Sequence, residues 1–253
     1  MYNIMNNSIT GMSANQGKID IISNNIANSQ TVGYKKLDVG FLDLYADTLS
    51  RQSYPHNKDN LITGTGVRIS NATRNLTQGA LKETGVSTDI AIDGEGYFRV
   101  IAKDGSYKYT RNGEFNLDSS GKLVDINGNI LDINYNNVVN QGNINLSNGS
   151  LTISNNGEVF LDKQSIGNIT LYMPQGDNDF TSVGDNLFNL NEGAQINIVD
   201  NPKVYQGYVE MSNVSMQTEM TDLIMAQRAF QFNSKAMQST DEMWGMINNL
   251  RGR

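Results

Sequence analysis

The two ends of the chain carry apolar residues at seven-residue spacing, and this pattern limits the fold more than any other feature of the sequence. The N-terminal repeat consists of Met5, Ile9, Met12, Ile19 and Ile26. Such spacing places the residues on one face of an α-helix, and a sustained heptad lets that face pack against another helix. We therefore predict a helix within residues 1–34, with Gly33 as the residue that stops it.

The C-terminal segment, residues 208–253, shows the same spacing over a longer stretch that contains no proline. Its repeat consists of Met216, Met220, Leu223, Phe230, Met237 and Trp244. In later heptads, polar residues occupy the position that Met220 has in the first one; Gln227 is an example. Polar residues at such positions lower the stability of a coiled coil but fix its register and its partners. We predict a long C-terminal helix that forms a coiled-coil-like pair with the N-terminal helix and takes part in polymerisation. The same stripes would also fit the private core of an intramolecular helix pair.

Between the helices the apolar residues recur with a period of two, which is typical of β-strands. The turn dipeptides Asp104-Gly105, Asn112-Gly113, Ser120-Gly121 and Asn127-Gly128 follow one another about every eight residues. This spacing predicts β-hairpins. We predict an α+β protein in which an antiparallel all-β domain, residues 75–205, is inserted between the terminal helices. Residues 35–74 are predicted to form a connecting segment with a polar loop at 51–65.

Composition excludes several classes of function. The chain of 253 residues has no cysteine, which excludes disulfides, thiolate zinc sites and cysteine nucleophiles. Its net charge of −7 argues against nucleic-acid binding, because phosphates would be repelled on average. No apolar run is long enough to span a membrane, and the first residues do not resemble a secretory signal peptide. Any export is therefore expected to proceed without a cleaved signal.

Residues suited to catalysis or metal binding are few. His56, the one histidine, lies in the predicted polar loop. The carboxylates of Asp93 and Glu95, and those of residues 176–179, could bind Ca²⁺ or act as a glycosidase pair. They lack the spacing of known calcium loops, and Asp-Gly is more typical of a turn. We expect no enzyme activity and no cofactor. A carbohydrate-active or Ca²⁺-binding β-domain with helical tails, or a secreted adhesin, remains an alternative.

Three segments resemble a known family. "SNNIANSQTVGYKK" at 23–36 is similar to the N-terminal signature of bacterial flagellar rod and hook proteins. The stretch from "GTGVRI" at 64–69 to "GKLV" at 121–124 resembles their central region, and 205–243 resembles their C-terminal signature. Signature residues at these positions are Asn24, Asn25, Asn28, Gly33, Tyr34, Lys35, Gln227 and Arg228.

The resemblance implies a role and partners. Both termini would form the inner helical tube of a rod that transmits torque from motor to hook, and would fold on polymerisation. The asparagines would satisfy backbone groups of adjoining subunits where the helix ends. Implied partners are further copies of the chain, other axial proteins (proximal rod and hook), the flagellar export apparatus, and rod-surrounding ring or cell-wall components. Neither nucleic-acid binding nor membrane insertion is implied, and the location would be the flagellar basal body. Within the family, length and the motifs "GTGVR" and "YQGYVE" are most similar to distal rod members, with proximal rod and hook-type proteins as alternatives.

Overall fold

The chain divides into two compact units. A computed structural model describes residues 2–44, 46–48, 62–135, 146, 149–176 and 179–251. The helical unit comprises Met1–Asn28, Lys36–Asn75 and Val214–Arg253, and the strand unit comprises Ser29–Lys35 and Leu76–Asn213. Residues 36–75 therefore group with the terminal helices, whereas the sequence suggested a connecting segment. The prediction of a separate all-β domain at 75–205 stays a prediction.

The helical unit contains two long helices and short antiparallel strand pairs. The helices are α1 (Tyr2–Ala27) and α2 (Met216–Arg251). The strands are β1 (Leu37–Asp38), β2 (Phe41–Asp43), β3 (Ala46–Thr48), β4 (Ile62–Gly64), β5 (Val67–Ile69) and β6 (Thr73–Arg74). β1 pairs with β6, β2 with β5, and β3 with β4. The predicted loop at 51–65 is thus wrong at its C-terminal end, which is strand β4; residues 51–61, with His56, lie outside the described residues.

Both helices are shorter than the sequence predicted. α1 ends at Ala27, so the interpretation of Gly33 as its stop is wrong. Asn28 closes the helix instead: its backbone N–H and its side-chain Nδ2 both donate to the carbonyl of Asn24, at 3.1 and 2.9 Å. Because these donors satisfy a terminal carbonyl, the chain can leave the helix without exposing an unpaired group.

At the other end, α2 begins at Met216, eight residues after the predicted start at 208. Residues 208–210 instead form a strand that pairs with residues 81–83 of the strand unit. Pairing with a strand requires extended backbone, which excludes a helix at these positions. The helix starts after Ser215, whose backbone carbonyl accepts the N–H of Glu219 at 3.0 Å.

α1 and α2 lie side by side and run antiparallel. Asn25 near the end of α1 donates a hydrogen bond to Glu219 near the start of α2. Fourteen residues earlier in α1, a Cβ added to Gly11 would lie 2.8 Å from Nδ2 of Asn233, which is fourteen residues later in α2. The two contacts are therefore separated by two heptads on each helix. Strand β5 packs against α1 at Gly17, where an added Cβ would meet the side chain of Ile69 from that strand.

The strand unit is built from antiparallel pairs. Its strands are β7 (Leu81–Glu83), β8 (Ile90–Ile92), β9 (Tyr97–Ile101), β10 (Tyr107–Thr110), β11 (Asn116–Leu117), β12 (Leu123–Val124), β13 (Ile130–Leu131), β14 (Ile133–Tyr135), β15 (Leu151–Ile153), β16 (Glu158–Leu161), β17 (Gln164–Ile169), β18 (Leu171–Pro174), β19 (Phe180–Gly184), β20 (Leu187–Leu190), β21 (Ile196–Ile198), β22 (Val204–Gln206) and β23 (Tyr208–Glu210). The largest sheet has the order β11-β12-β13-β9-β10-β20-β19. β18 also pairs with β9, on the edge that β13 occupies further along, and with β21. A second sheet has the order β14-β17-β16-β15, and the pairs β22-β8 and β23-β7 complete the unit.

The predicted hairpin turns are confirmed at three of the four dipeptides. Asp104-Gly105 joins β9 to β10, Ser120-Gly121 joins β11 to β12, and Asn127-Gly128 joins β12 to β13. Asn112-Gly113 is different, because β10 pairs with β20 and β9 but not with β11. Its glycine allows a close approach: the Gly113 carbonyl accepts the N–H of Ile90, and an added Cβ would meet the Ile90 carbonyl oxygen.

Two apolar clusters form the core of the strand unit. The larger contains Phe98, Phe115, Ile90, Leu171 and Val204 among its buried members. A smaller aromatic cluster consists of Tyr97, Tyr109, Tyr172 and Phe188, with Phe180, Leu190 and Ile196 packed against it. Phe98 is fully buried and meets Phe115 edge to face, with ring centroids 5.6 Å apart.

Replacing this central phenylalanine tests whether the larger cluster determines the stability of the strand unit. Phe98→Ala is expected to lower the free energy of unfolding by about 3–5 kcal/mol, because it removes a buried aromatic side chain and leaves a cavity. Ile126→Ala is the control, since Ile126 is 83% exposed and should change stability by less than about 0.5 kcal/mol. Chemical denaturation monitored by tyrosine fluorescence gives both values. Equal effects of the two changes would contradict this description of the core.

Candidate functional site

The predicted heptad residues lie on α1 and α2, but only some of them face inward. Half-buried positions are Met5, Met12, Ile19, Ile26, Leu223, Phe230 and Met237. Exposed positions are Ile9, Met216, Met220 and Trp244. The polymerisation role of these eleven residues stays a prediction, because the structure contains a single copy of the chain.

Small and polar side chains occupy the most buried positions of the two helices. On α1 these are Ser8, Gly11, Ala14, Asn15, Ile22 and Asn25, and on α2 they are Glu219, Ala226 and Thr240. Among the described residues of both helices, Ile22 is the one large apolar side chain in this set. In α2 the buried heptad position is therefore that of Glu219, one residue before the heptad position predicted from Met220. The two helices can approach each other closely because most of the side chains between them are small.

Large apolar side chains of α2 consequently lie at the surface of the chain. Ile224 is 59% exposed, Phe232 69% and Leu250 79%, and the exposed set also includes Met225, Met243, Met246 and Ile247. Several large exposed apolar side chains on one element mark an interaction surface in soluble proteins. We call this set, together with Met220 and Trp244, the outward apolar surface. The heptad stripe predicted from the sequence contains Met220 and Trp244 of this set, and the other members lie outside that stripe; the signal for them is that α2 is apolar on more than one face.

The asparagines of the signature bind backbone groups of their own chain. Asn25, which is 1% exposed, donates from Nδ2 to the Leu37 carbonyl at 2.9 Å and accepts the Leu37 N–H at Oδ1 at 3.0 Å. The side-chain amide thus pairs with β1 as a neighbouring strand would. Asn24 is exposed and accepts the Nδ2 of Asn28 at Oδ1. The expectation that these asparagines also satisfy backbone groups of adjoining subunits stays a prediction.

Glu219 connects the start of α2 to α1 and β1 within the helical unit. Its Oε2 accepts from Asn25 at 3.2 Å, and its Oε1 lies 2.8 Å from the ammonium of Lys36. The same ammonium lies 3.2 Å from Asp38. Burial opposes the charged form of Lys36, but the hydrogen bonds to Glu219 and Asp38 outweigh it and raise the pKa of Lys36 above its ordinary value. Lys36 therefore has two carboxylate partners, Glu219 and Asp38.

Lys35 is paired in the strand unit. Its ammonium lies 2.7 Å from Oε1 of Glu210 and also donates to the Thr77 carbonyl at 2.9 Å. Oε2 of Glu210 accepts from Nε of Arg111 at 2.6 Å, and the N–H of Gly79 donates to Oε1. Lys35, Arg111 and Glu210 are all at least 96% buried. Burial would raise the pKa of Glu210, but the charge of Arg111 and the hydrogen bonds from Lys35 and Gly79 outweigh it and lower that pKa.

Gly33 and Tyr34 lead into this cluster. Gly33 has φ +70°, and its N–H donates to the backbone carbonyl of Glu210 at 2.8 Å. An added Cβ there would lie 2.6 Å from the backbone nitrogen of Asn112, so a side chain is excluded by both conformation and space. Tyr34 is buried. The remaining signature residues, Gln227 and Arg228, are exposed on α2, where Arg228 donates to Gln231 at 3.2 Å.

The two segments considered for Ca²⁺ or glycoside chemistry make contacts within the chain. The carbonyls of Gly94 and Gly96, which flank Glu95, accept hydrogen bonds from the guanidinium of Arg111. Asp179 accepts the N–H of Gly176 at 2.7 Å and so closes its own turn. Within the described residues no group of three or more acidic, histidine or cysteine side chains is placed to hold a metal ion. These observations favour the turn interpretation over a metal site in the described part of the chain.

Neither α1 nor α2 has a stretch that is long and apolar enough to cross a membrane, as far as the described residues extend.

Family models match three parts of the chain. The model for the flagella basal body rod protein matches residues 5–35, which cover most of α1 and the turn after it. The model for the flagellar hook protein FlgE/F/G D1 domain matches residues 91–161. The model for the flagellar basal body rod FlgEFG protein C-terminal region matches residues 205–250.

Curated proteins are similar over nearly the whole length. The chain is 37% identical to the flagellar basal-body rod protein FlgG of Agrobacterium fabrum, over 96% of this chain and 97% of that protein. It is 33% identical to the protein of the same name from Borreliella burgdorferi, over 96% of each. Its identity to the flagellar basal-body rod protein FlgF of Caulobacter vibrioides is 34%, over 89% of this chain and 88% of that protein.

The buried cluster around Glu210 predicts a pH-dependent contribution to stability. Because its pKa is lowered in the folded chain, the ionised carboxylate stabilises the fold above the unfolded value of about 4.3, and this contribution is lost as the pH falls through the folded pKa. Glu210→Gln leaves Lys35 and Arg111 buried without their counter-charge. At pH 7 the change is expected to lower the free energy of unfolding by about 3–5 kcal/mol.

Urea denaturation of both chains between pH 7 and pH 3 measures this effect. The difference between them should be largest near pH 7 and shrink as the pH falls below about 4. Glu158→Gln, at an exposed carboxylate of the strand unit, should change stability by less than about 0.5 kcal/mol at every pH. A pH-independent difference for Glu210→Gln would show that its carboxylate has an ordinary pKa.

Proposed function

The chain belongs to the flagellar basal-body rod protein family, and we propose on this basis that it is a structural subunit that polymerises with further copies into a helical tube. The tube would transmit torque from motor to hook. The observation that carries the proposal is the outward apolar surface of α2, which the single chain leaves in contact with water. Family membership supports another axial subunit as the occupant of that surface.

The terminal helices form the polymerising element in this proposal. α1 and α2 act as a coiled-coil-like pair, in which Met5, Met12, Ile19, Ile26, Leu223, Phe230 and Met237 support the intrachain contact from half-buried positions. Ile9, Met216, Met220 and Trp244, which are exposed, are assigned to contacts between copies. α2 has 36 residues and α1 has 26, so the last third of α2 includes turns with no residue of α1 left to pair with. Its apolar side chains therefore favour an intermolecular partner.

The strand unit is assigned to a separate β domain. Its own apolar clusters and its antiparallel pairs support independent folding. The boundary at 205 is better placed near 213, because β22 and β23 pair with β8 and β7 and carry Glu210 into the buried ion cluster. A domain cut at 205 would lose these contacts.

Among rod proteins, the distal type is favoured. The two relatives named FlgG that are described above align with 96% of this chain, whereas the protein named FlgF aligns with 89%. The proximal rod type remains the second candidate, since the protein named FlgF has a similar sequence identity to this chain over the aligned part. Neither candidate requires a catalytic residue or a cofactor.

The proposed location is the flagellar basal body, reached by the flagellar export apparatus without a cleaved signal. Further copies of the chain are the main partners, followed by the proximal rod and hook proteins at the two ends of the tube. Ring or cell-wall components around the rod would meet the β domain. Flagellar names of the relatives support this location, and the outward apolar surface supports self-association.

A single charge in the outward apolar surface tests the proposal. Phe232 is 69% exposed in the single chain, and burial of a phenylalanine contributes roughly 1.5–3 kcal/mol. Phe232→Asp removes most of this contribution and adds the cost of burying a carboxylate. The critical concentration for polymerisation should rise at least about tenfold, since 1.4 kcal/mol corresponds to a factor of ten. Sedimentation of the purified full chain, together with motility of cells that carry the variant, measures the effect.

Gln238→Asp is the matched control, because it places the same residue at an exposed polar position of the same helix. It should leave polymerisation and motility unchanged. The thermal transition of the strand unit should be the same in both variants. Normal polymerisation of Phe232→Asp would show that this surface stays exposed to water, and the assignment of the polymerisation surface would be wrong.

A further inference from the structure

One buried polar cluster joins three segments of the helical unit: the end of α1, β1 with the residue before it, and the start of α2. Asn25 and Glu219 are both 1% exposed. Asn25 is fixed to β1 by its two hydrogen bonds with Leu37, and it also donates to Glu219. Lys36 lies 2.8 Å from the other oxygen of Glu219. The position of Glu219, and with it of α2, is thus tied to a point on α1.

The rest of the helix contact discriminates poorly between registers. The buried face of α2 presents Glu219, Ala226, Asn233 and Thr240, which are spaced by seven residues. After Glu219 these side chains are small or neutral, and they meet small residues of α1 such as Gly11. Sliding α2 by one heptad would replace one such side chain by another of similar size. Uniformly small or undifferentiated contacts specify register weakly, whereas a single buried polar contact specifies it strongly.

A slip of one heptad would separate Glu219 from both of its donors. Asn25 cannot follow α2, because its amide is held by the backbone of Leu37. A slip that brings Ala226 opposite Gly11 would move Glu219 to the level of Lys18, and the opposite slip would move it beyond Ala27, the last residue of α1. A buried carboxylate without partners is strongly unfavourable. Only the observed register gives the Glu219 carboxylate both Asn25 and Lys36 as partners.

We propose that Asn25, Lys36 and Glu219 form a register lock, which determines the heptad of α1 that faces each heptad of α2. In this role the three are positioning residues for the helix pair. The lock goes beyond the proposed function, because it acts between two helices of the same chain. Its consequence for assembly is that every copy presents the outward apolar surface at the same height along the helix pair.

Introduced disulfides can report the register directly, since the chain contains no cysteine. Gly11→Cys with Asn233→Cys reports the observed register, because an added Cβ at Gly11 lies 2.8 Å from the Asn233 side chain. Gly11→Cys with Ala226→Cys, or with Thr240→Cys, reports a slip of one heptad in either direction. Both slipped pairs also carry Asn233→Ala, which makes room for the new side chain. Each pair is oxidised in the full chain, in the soluble and the sedimented fractions, and intrachain disulfides are quantified by non-reducing electrophoresis and mass spectrometry.

With the lock intact, the observed-register disulfide should exceed each slipped disulfide at least about tenfold in one or both fractions, as expected for a preference of about 1.4 kcal/mol. Glu219→Ala removes the carboxylate that Asn25 and Lys36 bind in the observed register, so this ratio should fall about tenfold, and Lys36→Met should lower it in the same direction. Glu242→Ala, which removes an exposed carboxylate of α2, should leave the ratio unchanged. An unchanged ratio in Glu219→Ala, or absence of the observed-register disulfide from both fractions of the intact chain, would overturn the lock.

If Glu219→Ala abolishes all three disulfides, the helix pair has been lost, and Glu219→Gln decides the outcome. Glutamine keeps an oxygen for Asn25 but loses the charge that pairs with Lys36. A rise of the slipped disulfides in Glu219→Gln supports the lock, and an unchanged ratio contradicts it. Failure of polymerisation alone bears on the proposed function, because the disulfide ratio is measured within single chains.

Discussion

The contact between α1 and α2 is made mainly by small and polar side chains, and this constraint determines what the rest of the helical unit can do. Gly11 approaches Asn233 closely, and Asn25 hydrogen-bonds to Glu219. Such a contact brings the two helices together while their large apolar residues, apart from Ile22, stay half-buried or exposed. Burial of those residues is the main favourable term in association. The exposed residues of α2, with Phe232 and Leu250 as the extreme cases, therefore require another surface, and the family of the chain indicates a neighbouring axial subunit.

Two adjacent lysines of the signature have separate structural roles. Lys35 is buried with Glu210 and Arg111 in the strand unit, whereas Lys36 pairs with Glu219 in the helical unit. A buried ion pair contributes little net stability compared with apolar packing, but breaking one is costly, so it fixes geometry more than it adds stability. The signature therefore specifies the position of a chain segment within each unit, which explains why it combines asparagine, glycine and lysine.

Helix formation, the α+β class and three of the four hairpin turns could be predicted from the sequence, because each follows from local spacing and turn chemistry. The buried face of α2 could not. A heptad pattern defines a stripe, and the stripe of Met220 lies one residue away from the stripe of Glu219 that α1 covers. The roles of Asn25 and Lys35 depend on partners 12 and 175 residues away in the chain. Asn112-Gly113 has the composition of a turn, but its close approach to Ile90 depends on tertiary pairing.

Amide hydrogen exchange on the full chain, in its soluble and its sedimented form, tests the central claim that assembly buries the outward apolar surface. Assembly through this surface should stabilise α2 against local opening, so its amides between 216 and 251 should exchange at least about tenfold more slowly in the sedimented form, whereas those of β9 and β10 should change little. Equal protection of α2 in the two forms would contradict the claim, because it would mean that the helix gains no contacts when the chain assembles.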